Sequence, residues 1–581
     1  MQPAPESTDV EGTVPATDAS RPGASRARKH LLTVAVEDYY QAAPVRKWIS
    51  HETWYRFEQR LASSTLRTLD LLDHHGVGAT FFMPGYLADS MPDLVREVAR
   101  RGHEIGSTGY SHRDAWDIGA TEFRTDIARA KDRLEQVGGR RVLGFRMPNR
   151  WLSPRDLWVL GVLADAGYLY DSSIRPALRA FGHRSWQDAL LHLGSEGHTF
   201  YEVPVSSVSL LGLQVPVGGG GPLRHFPSPW MRRAVSRWDQ RSPSPYVMYF
   251  RTWELDPEQP RLSIAPLSAR VRQYRNLDRM TSLLEEYLST YRFTSVANYI
   301  GVGGDLPVKP EAVPAPAPAA PRTIVTRTPD TAPTPATIVI PCYNETASLP
   351  YLRNTLQSMA EAFRAAFTFS YVFVDDCSTD GTWDMLKSLF GNDSACVLVR
   401  HDRNRGIAGT IQTGIKHART DVVCSIDCDC TYDPHELGRM IPMLSEGVDV
   451  VTASPYHPAG QVRNVPHWRL FLSKSLSRMY RVVLHQQLHT YTSCFRVYRK
   501  ETATALEIRR TGFLGIAEMI GRLDLAGFRV VEYPTTLQSR VLGRSKMKVA
   551  RTIVGHVGLL ADLTRLRLFG DGNSTPAKAP L

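Results

Sequence analysis

Two carboxylates one residue apart, Asp427 and Asp429 in "SIDCDCTYDP", follow an apolar run, and a second acidic pair, Asp375 and Asp376, closes "YVFVDD". Along a strand, residues two apart point to one face. Asp427 and Asp429 therefore converge and suit a hard cation held between them and phosphate oxygens. The chemistry this spacing predicts is the departure of a phosphate-bearing group assisted by a divalent metal. A different arrangement lies near the N-terminus. The run "LLTVAVEDYYQ", residues 31–41, reads as a buried strand that delivers Glu37 and Asp38 to a surface site, yet an alanine, Ala35, stands where a catalytic group is expected.

The elements that must position these residues change sharply between the two halves. In the first half, "TLRTLDLLDHHG" has helical periodicity and ends in glycine, "VGATFFMPG" reads as a strand, "MPDLVREVARRG" as a helix and "HEIGSTGYSH" as a strand and loop. This order predicts a barrel-like β/α domain with its site on the loops at the strand C-termini. In the second half, "ATIVIPCYNE" is a strand, "LPYLRNTLQSMAEAFRAA" a helix, and "FSYVFVDDCSTDGT" and "DVVCSIDCDCTYDP" are strands that end in acids. That alternation predicts an open, largely parallel sheet with ligands beyond the carboxyl ends of its strands.

A chain of 581 residues exceeds one ordinary core. Residues 304–336, rich in Pro, Ala and Thr, are expected to be an extended linker. The expected organisation is a disordered tail at 1–30, a first domain at 31–303, the linker, a second domain at 337–568 and a second tail at 569–581. The first thirty residues lack the apolar core of a signal peptide, and no apolar run reaches the roughly 18 to 20 residues that span a bilayer. A cytoplasmic protein is the expectation. The net charge of +11 fits attraction to phosphate groups or an anionic membrane surface, with no motif pointing to nucleic acid. All seven cysteines lie in the second half without paired C-x-x-C spacing, so buried reduced thiols are expected rather than a zinc site.

The stretches "ATFFMPGYLADSMPDLVREVARRGHEIGSTGYSH", "GFRMPNRWLS", "YLYDSSIRP" and "YFRTWELDPEQPR" resemble, in order, the polysaccharide deacetylases of carbohydrate esterase family 4. The resemblance covers about residues 30–300 and implies a distorted (β/α) barrel. It also implies a divalent metal held by one aspartate and two histidines, an aspartate as base and a late histidine as acid. Three of those positions are altered here. Ala35 aligns with the base, Thr108 with the first histidine of an H-x-x-x-H pair that leaves only His112, and Arg251 in "FRTWE" with the acid. A methyl group accepts no proton, and loss of a general base costs on the order of 10² to 10⁴ in rate. A threonine hydroxyl replaces imidazole poorly as a metal ligand, and an arginine stays protonated. A degenerate, non-hydrolytic domain is expected, with Glu37, Asp38 and His112 as either a weak metal set or a polar vestige. Arg146, Asp171 and Trp253 match retained positions and either line a sugar groove or maintain the fold.

In the second half, "IPCYNE", "VDDCSTDGT", "NRGIAGTIQTGIKHA", "IDCDCTYDP", "TSCFRVYRK", "GFLGIAEMIGRLDLAGFRVVEYP" and "RVLGRSK" resemble the family 2 glycosyltransferases of GT-A fold, in the branch of dolichyl- or polyprenyl-phosphate sugar synthases. The resemblance implies that Pro341, Tyr343, Glu345, Asp375 and Asp376 hold the nucleotide, and that Asp427 and Asp429 bind Mg²⁺ or Mn²⁺ with the donor diphosphate. Arg496, Arg540 and Lys546 are candidates for the leaving diphosphate or an acceptor phosphate. Glu518 is the candidate base if the acceptor is a hydroxyl; a phosphate acceptor needs none. Thr431 and Tyr432 replace the glutamine and proline that such synthases often carry after the acidic pair, which leaves the acceptor open among a glycan, a polyprenyl phosphate and a small secondary metabolite. The C-terminal "RSKMKVARTIVGHVGLLADLTRLRLF" alternates cationic and apolar residues at helical spacing and is expected either on an anionic membrane surface or packed on the transferase. Three functions follow: a glycosyltransferase with a pseudo-deacetylase domain, a bifunctional transferase and N-deacetylase, or a non-catalytic carbohydrate-binding scaffold.

Overall fold

The computed structural model describes residues 28–175, 191–192, 200–210, 213–302, 332–465, 467–505, 508–543 and 549–569. Nearly all of the expected N-terminal tail, most of the linker, the C-terminal end and Lys546 lie outside the described residues. By contacts the chain forms two units. The first takes in 28–37, 61–257 and 275–302, and the second 38–60, 258–274 and 332–569.

The first unit is built on one curled sheet. Its strands are β1 (Lys29–Ala35), β2 (Thr80–Met83), β3 (Glu104–Ser107), β4 (Gly144–Phe145), β5 (Tyr170–Asp171), β6 (Leu191–His192) and β7 (Tyr201–Glu202), followed by a hairpin of β8 (Ser207–Leu210) and β9 (Leu213–Pro216), then β10 (Val247–Arg251) and β11 (Arg292–Thr294). The spatial order is β10-β1-β2-β3-β4-β5-β7-β6, parallel except for β6 on β7, with β11 also pairing β1. Leu32, Val34, Phe81, Phe145 and Phe250 from these strands are fully buried in one apolar cluster with residues of the helices Leu61–His74 and Pro92–Arg100. The helices Leu61–His74 and Pro92–Arg100 form where the apolar periodicity predicts them, the first ending just before Gly76 at φ 61° and the second beginning on its proline.

The second unit holds β12 (Thr334–Cys342), β13 (Phe367–Asp375), β14 (Cys396–Arg400), β15 (Val422–Ser425), β16 (Val450–Ser454), β17 (Gln461–Arg463), β18 (Arg496–Arg499), β19 (Val530–Pro534) and β20 (Thr536–Gln538). Seven of these order as β14-β13-β12-β15-β18-β16-β19, with only β18 antiparallel to its neighbours, while β17 and β20 pair separately. The helix Gly406–His417 packs on β12 so closely that a Cβ at Gly414 would meet Val339 at 2.2 Å. All seven cysteines are free thiols.

The boundary expected at the linker shifts in one respect. Residues 38–60 and 258–274 group with the second unit, because specific polar contacts hold them there. The Arg56 guanidinium donates to Asp433 at 2.7 Å, Asn354 donates to the carbonyls of Arg56 and Phe57, and Phe57 meets Tyr351 edge to face. Ser263 donates its amide to the Val541 carbonyl at 2.7 Å.

Candidate functional site

In the first unit the altered positions come together. Ala35 pairs with Arg251 across β1 and β10, so the arginine leaves the sheet beside Ala35. Its Nε lies 2.7 Å from Glu37 Oε1, and Trp253 Nε1 donates to the same oxygen at 2.8 Å. On the other side, His112 Nε2 stands 3.8 Å from Glu37 Oε2, and its Nδ1 meets the Thr108 hydroxyl at 3.1 Å. Glu37 is 1% exposed. Burial alone would raise its proton affinity, but the Arg251 charge and the bonds from His112 and Trp253 outweigh it and hold the carboxyl below its usual range. A cation from the protein itself thus pairs with one of the residues read from sequence as either a weak metal set or a polar vestige. Asp38 falls in the second unit, where its carboxylate accepts the amides of Tyr39 and Arg60, each at 2.8 Å.

Arg146 is buried between the rings of Phe82 and Tyr249. It donates to the Ser172 carbonyl and hydroxyl and to Thr33 Oγ1 at 2.7 to 3.0 Å. Burial brings its pKa down to about 10. Asp171 lies opposite Glu202 across β5 and β7, and burial raises the proton affinity of both. Asp171 takes the amide and hydroxyl of Ser173. These retained residues form a closed internal network.

In the second unit, β13, β12 and β15 are adjacent and parallel, with Cys342 beside Asp375 and Val339 beside Ser425. Their carboxyl ends therefore leave the sheet at one edge, and the three loops that follow carry the acids. Each loop holds a non-glycine residue in the left-handed region: Asn344 at φ 52°, Cys377 at φ 60° and Cys430 at φ 52°. Such backbone persists where its surroundings over-determine it. For the loops after β12 and β13 Asn344 supplies the constraint, accepting the amides of Thr379 and Asp380 on Oδ1 and donating its own amide to Ser378.

Asp375 is fully buried and accepts the Ser378 amide, with Arg400 Nε at 3.1 Å. Asp376 accepts the amides of Arg405 at 2.7 Å and Gly406 at 2.8 Å and meets His401 Nδ1 at 2.8 Å. The carboxylate thereby caps the helix Gly406–His417 and draws its positive N-terminal end to the site. Only glycine fits at 406, where φ is +72° and a Cβ would lie 2.6 Å from the Gly512 amide. Pro341 is half-buried on β12 and Tyr343 is exposed just beyond it.

The acidic pair after β15 sits against a guanidinium. Arg540 donates Nε to Asp429 Oδ2 at 2.6 Å and Nη2 to Glu345 Oε1 at 2.8 Å, bridging the loops after β12 and β15. Asp429 Oδ1 also accepts the Thr431 amide, and the Thr431 carbonyl accepts Gln538 N from β20. Burial and then the charge of Asp429 raise the proton affinity of Asp427, with Arg540 opposing. A carboxylate so placed gains from a nearby positive charge, and the donor set fits a hard divalent cation. Among the described residues no group of three or more His, Cys, Asp or Glu is arranged to hold a metal. Two carboxylates are enough where phosphate oxygens and water complete the shell.

The Glycosyl transferase family 2 model matches residues 337–505, the Polysaccharide deacetylase model residues 51–169, and a domain of unknown function (DUF3473) residues 172–301. Polyprenol monophosphomannose synthase of Mycolicibacterium smegmatis is 32% identical over 218 residues, covering 36% of this chain and 80% of that protein. The chain belongs to glycosyl transferase family 2. Undecaprenyl-phosphate mannosyltransferase of Micrococcus luteus is 30% identical over 215 residues, covering 36% of this chain and 86% of that protein. Among solved structures, a mannosyltransferase from Pyrobaculum calidifontis in complex with GDP-Man and Mn²⁺ aligns with a TM-score of 0.30 at 17% identity, covering 42% of this chain and 74% of that one. The family 2 transferase carries a polysaccharide deacetylase-like region N-terminal to it.

Two residues of the family 2 motifs have positions that sequence alone does not reveal. Arg496 is fully buried on β18, donating to the carbonyls of Tyr491 and Ile516 and lying 3.4 Å from Thr452 Oγ1. It points into the core and ties strand to helix. Glu518 is 2% exposed; Oε2 accepts the amides of Arg509 and Arg510 and Oε1 the Nε of Arg522. His401 and Asn344, which hold Asp376 and the strand-end loops, were not singled out by spacing; both lie within or just before stretches that carry the family pattern.

Proposed function

We propose that the second unit transfers a sugar from a nucleoside-diphosphate donor to a lipid phosphate, with inversion at the anomeric carbon. Asp427 and Asp429 would hold Mg²⁺ or Mn²⁺, which when bound stabilises negative charge on the departing diphosphate. The observation that carries the reading is Arg540 seated on Asp429 and Glu345: a mobile-length cationic side chain at the acidic edge can exchange between these carboxylates and donor phosphate oxygens. Tyr343, Asp375 and Asp376 would hold the nucleotide at the same strand ends, with Asp376 also holding the helix Gly406–His417 in place.

A phosphate acceptor is favoured by the state of Glu518. Its two oxygens already accept three donors, which suits a scaffold role better than abstraction of a hydroxyl proton. A phosphate oxygen is already anionic and attacks the anomeric carbon without a base, while the bond to the diphosphate oxygen breaks and the nucleoside diphosphate leaves with the electron pair. The names of the relatives, a polyprenol monophosphomannose synthase and an undecaprenyl-phosphate mannosyltransferase, support the same acceptor class.

The first unit, in this reading, binds a glycan without hydrolysing it. Arg251 neutralises Glu37, and Ala35 offers no base. The test of the acceptor is transfer of label from a radioactive nucleotide-sugar to polyprenyl phosphate, followed by extraction into organic solvent. Label in the organic phase supports the lipid phosphate, whereas label only in a soluble glycan contradicts it. Acetate release from N-acetylated glycan by the full chain would contradict the second part.

A further inference from the structure

A cavity of about 530 Å³ lies within the second unit, lined by none of the acids described above. The sequence builds it from three pieces. On the helix Leu349–Phe363, Pro350, Arg353, Asn354 and Gln357 follow one another at steps of three, one and three, which puts them on one side of the helix. The helix Thr382–Phe390 adds Met385 and Leu389, four apart. Tyr55, Glu58 and Gln59 close the third wall, and they come from outside the stretch 337–505 that matches the transferase family. The cavity is therefore not a feature of the family 2 stretch alone.

The third wall is fixed by the two residues inside it. Arg56 and Phe57 are buried; Arg56 pairs with Asp433 and Phe57 packs on Tyr351. Asn354 donates its side-chain amide to the carbonyls of Arg56 and Phe57 at 3.2 and 3.1 Å, which leaves its oxygen as an acceptor. Arg56 also donates Nε to the Tyr55 hydroxyl at 3.1 Å, so the Tyr55 ring is held in place although it is 41% exposed.

The lining has two characters. Pro350, Met385, Leu389 and the Tyr55 ring offer apolar surface, whereas Gln59, Asn354 and Gln357 offer amides. Gln59, Arg353 and Gln357 are exposed, and their side chains make no hydrogen bond among the described residues. A primary amide both donates and accepts. Charge is nearly balanced, because Glu58 is paired with Arg60 at 2.8 Å and Arg353 is the one further cation of the lining. A phosphorylated ligand would meet little positive charge here, and a purely apolar one would take water from amides that it cannot pair. A sugar ring suits both characters: its C–H face lies on an aromatic ring and its hydroxyls, each donor and acceptor, meet the amides. The volume falls in the range of about 300–1,000 Å³ usual for small-ligand sites.

We propose that this cavity is a binding site for a neutral oligosaccharide, with the Tyr55 ring as its stacking platform and Gln59, Asn354 and Gln357 as partners of the hydroxyls. The site goes beyond the transfer reaction and is separate from the glycan site read in the first unit.

The full-length protein, without metal or nucleotide-sugar, is irradiated with mannobiose or diacetylchitobiose carrying a diazirine group, and the labelled peptides are located by mass spectrometry. Label is expected in peptides that hold Tyr55 to Gln59 or Pro350 to Gln357, and an excess of the plain disaccharide should remove it. Tyr55→Ala and Gln59→Ala/Gln357→Ala are each expected to lower this labelling at least about tenfold, the scale of a lost ring contact or of two lost hydrogen bonds. Tyr55→Phe keeps the ring and should label nearly as the wild type does. Thermal unfolding of the double variant should match the wild type, since both glutamines are exposed. No label with either disaccharide, label confined to other stretches of the chain, the first unit included, or undiminished label in the double variant would overturn the proposal. So would removal of the label by inorganic phosphate, which would mark an anion site at Arg353. Nucleoside diphosphate release, measured in parallel, reports on the transferase reading separately.

Discussion

Arg540 donates its Nε to Asp429 Oδ2 at 2.6 Å, so the acidic pair that follows β15 is held by a protein cation. The same guanidinium reaches Glu345 at 2.8 Å, and its proton is held well above the ordinary arginine range by these two charges despite burial. Replacing it with alanine leaves two largely buried carboxylates facing each other's loops. Arg540→Ala is expected to lower the stability of the metal-free protein by on the order of 1–3 kcal/mol. Mn²⁺ should then raise the melting temperature of the variant more than that of the wild type, since binding to the folded state adds stability by linkage. Differential scanning calorimetry with and without Mn²⁺ makes the comparison, and an equal metal-induced shift in both proteins would contradict it.

Arg251 has the corresponding role in the first unit. Arg251→Leu removes the charge 2.7 Å from the buried Glu37 and should cost on the order of 3–5 kcal/mol, the usual penalty for leaving one member of a buried pair. Arg251→Lys should recover part of it. Denaturant unfolding of the full chain, followed by a probe in the first unit, measures both.

Arg496 separates a structural role from a phosphate ligand. Its guanidinium serves carbonyls of the core, so Arg496→Met is expected to destabilise the protein by on the order of 3 kcal/mol and to leave the KM for donor unchanged in whatever fraction remains folded. A raised donor KM with unchanged stability would instead make Arg496 a ligand of the diphosphate.

Stability should fall in mild acid through two buried histidines. His103, whose Nδ1 accepts the Ala79 amide, and His556, bonded to Tyr480, both have pKa values lowered by burial from 6.5 to about 4. The unfolded chain takes up protons from about pH 6.5 downward while the folded chain does not, so stability is full above pH 6.5 and is lost as pH falls toward 4. His103→Gln should flatten the slope of unfolding free energy against pH in that window. An unchanged slope in the variant would show that His103 does not bind its proton in this way.

The legibility of the site follows from how local its signals are. The acids at the ends of β13 and β15 could be read because each sits next to an apolar run that had to be a strand, and parallel order then brings their ends to one edge. Ala35, Thr108 and Arg251 stand out in the sequence because each departs from a short local pattern. That Arg251 closes on Glu37 depends on the register of β1 against β10, which joins segments more than two hundred residues apart and leaves no trace in spacing. Arg496 looked like a ligand because its motif names its type but not its side of the strand; on β18 it faces the core. Arg56 and Asp433 lie 377 positions apart, so a contact of residues 38–60 within the second unit leaves no trace in local spacing. Asn344 and His401 are single polar residues whose task, holding a loop and orienting Asp376, is visible only once the loops are in place.

The most direct test of the account is release of nucleoside diphosphate by the purified full-length protein, given a panel of nucleotide-sugars with polyprenyl phosphate and Mn²⁺ or Mg²⁺, beside Asp429→Ala. The account predicts release with at least one donor, abolished by chelation of the metal and reduced by at least about a hundredfold in the variant, the scale of losing an electrostatic group that stabilises developing charge. Undiminished release by a folded Asp429→Ala protein, or no release with any donor, would contradict it.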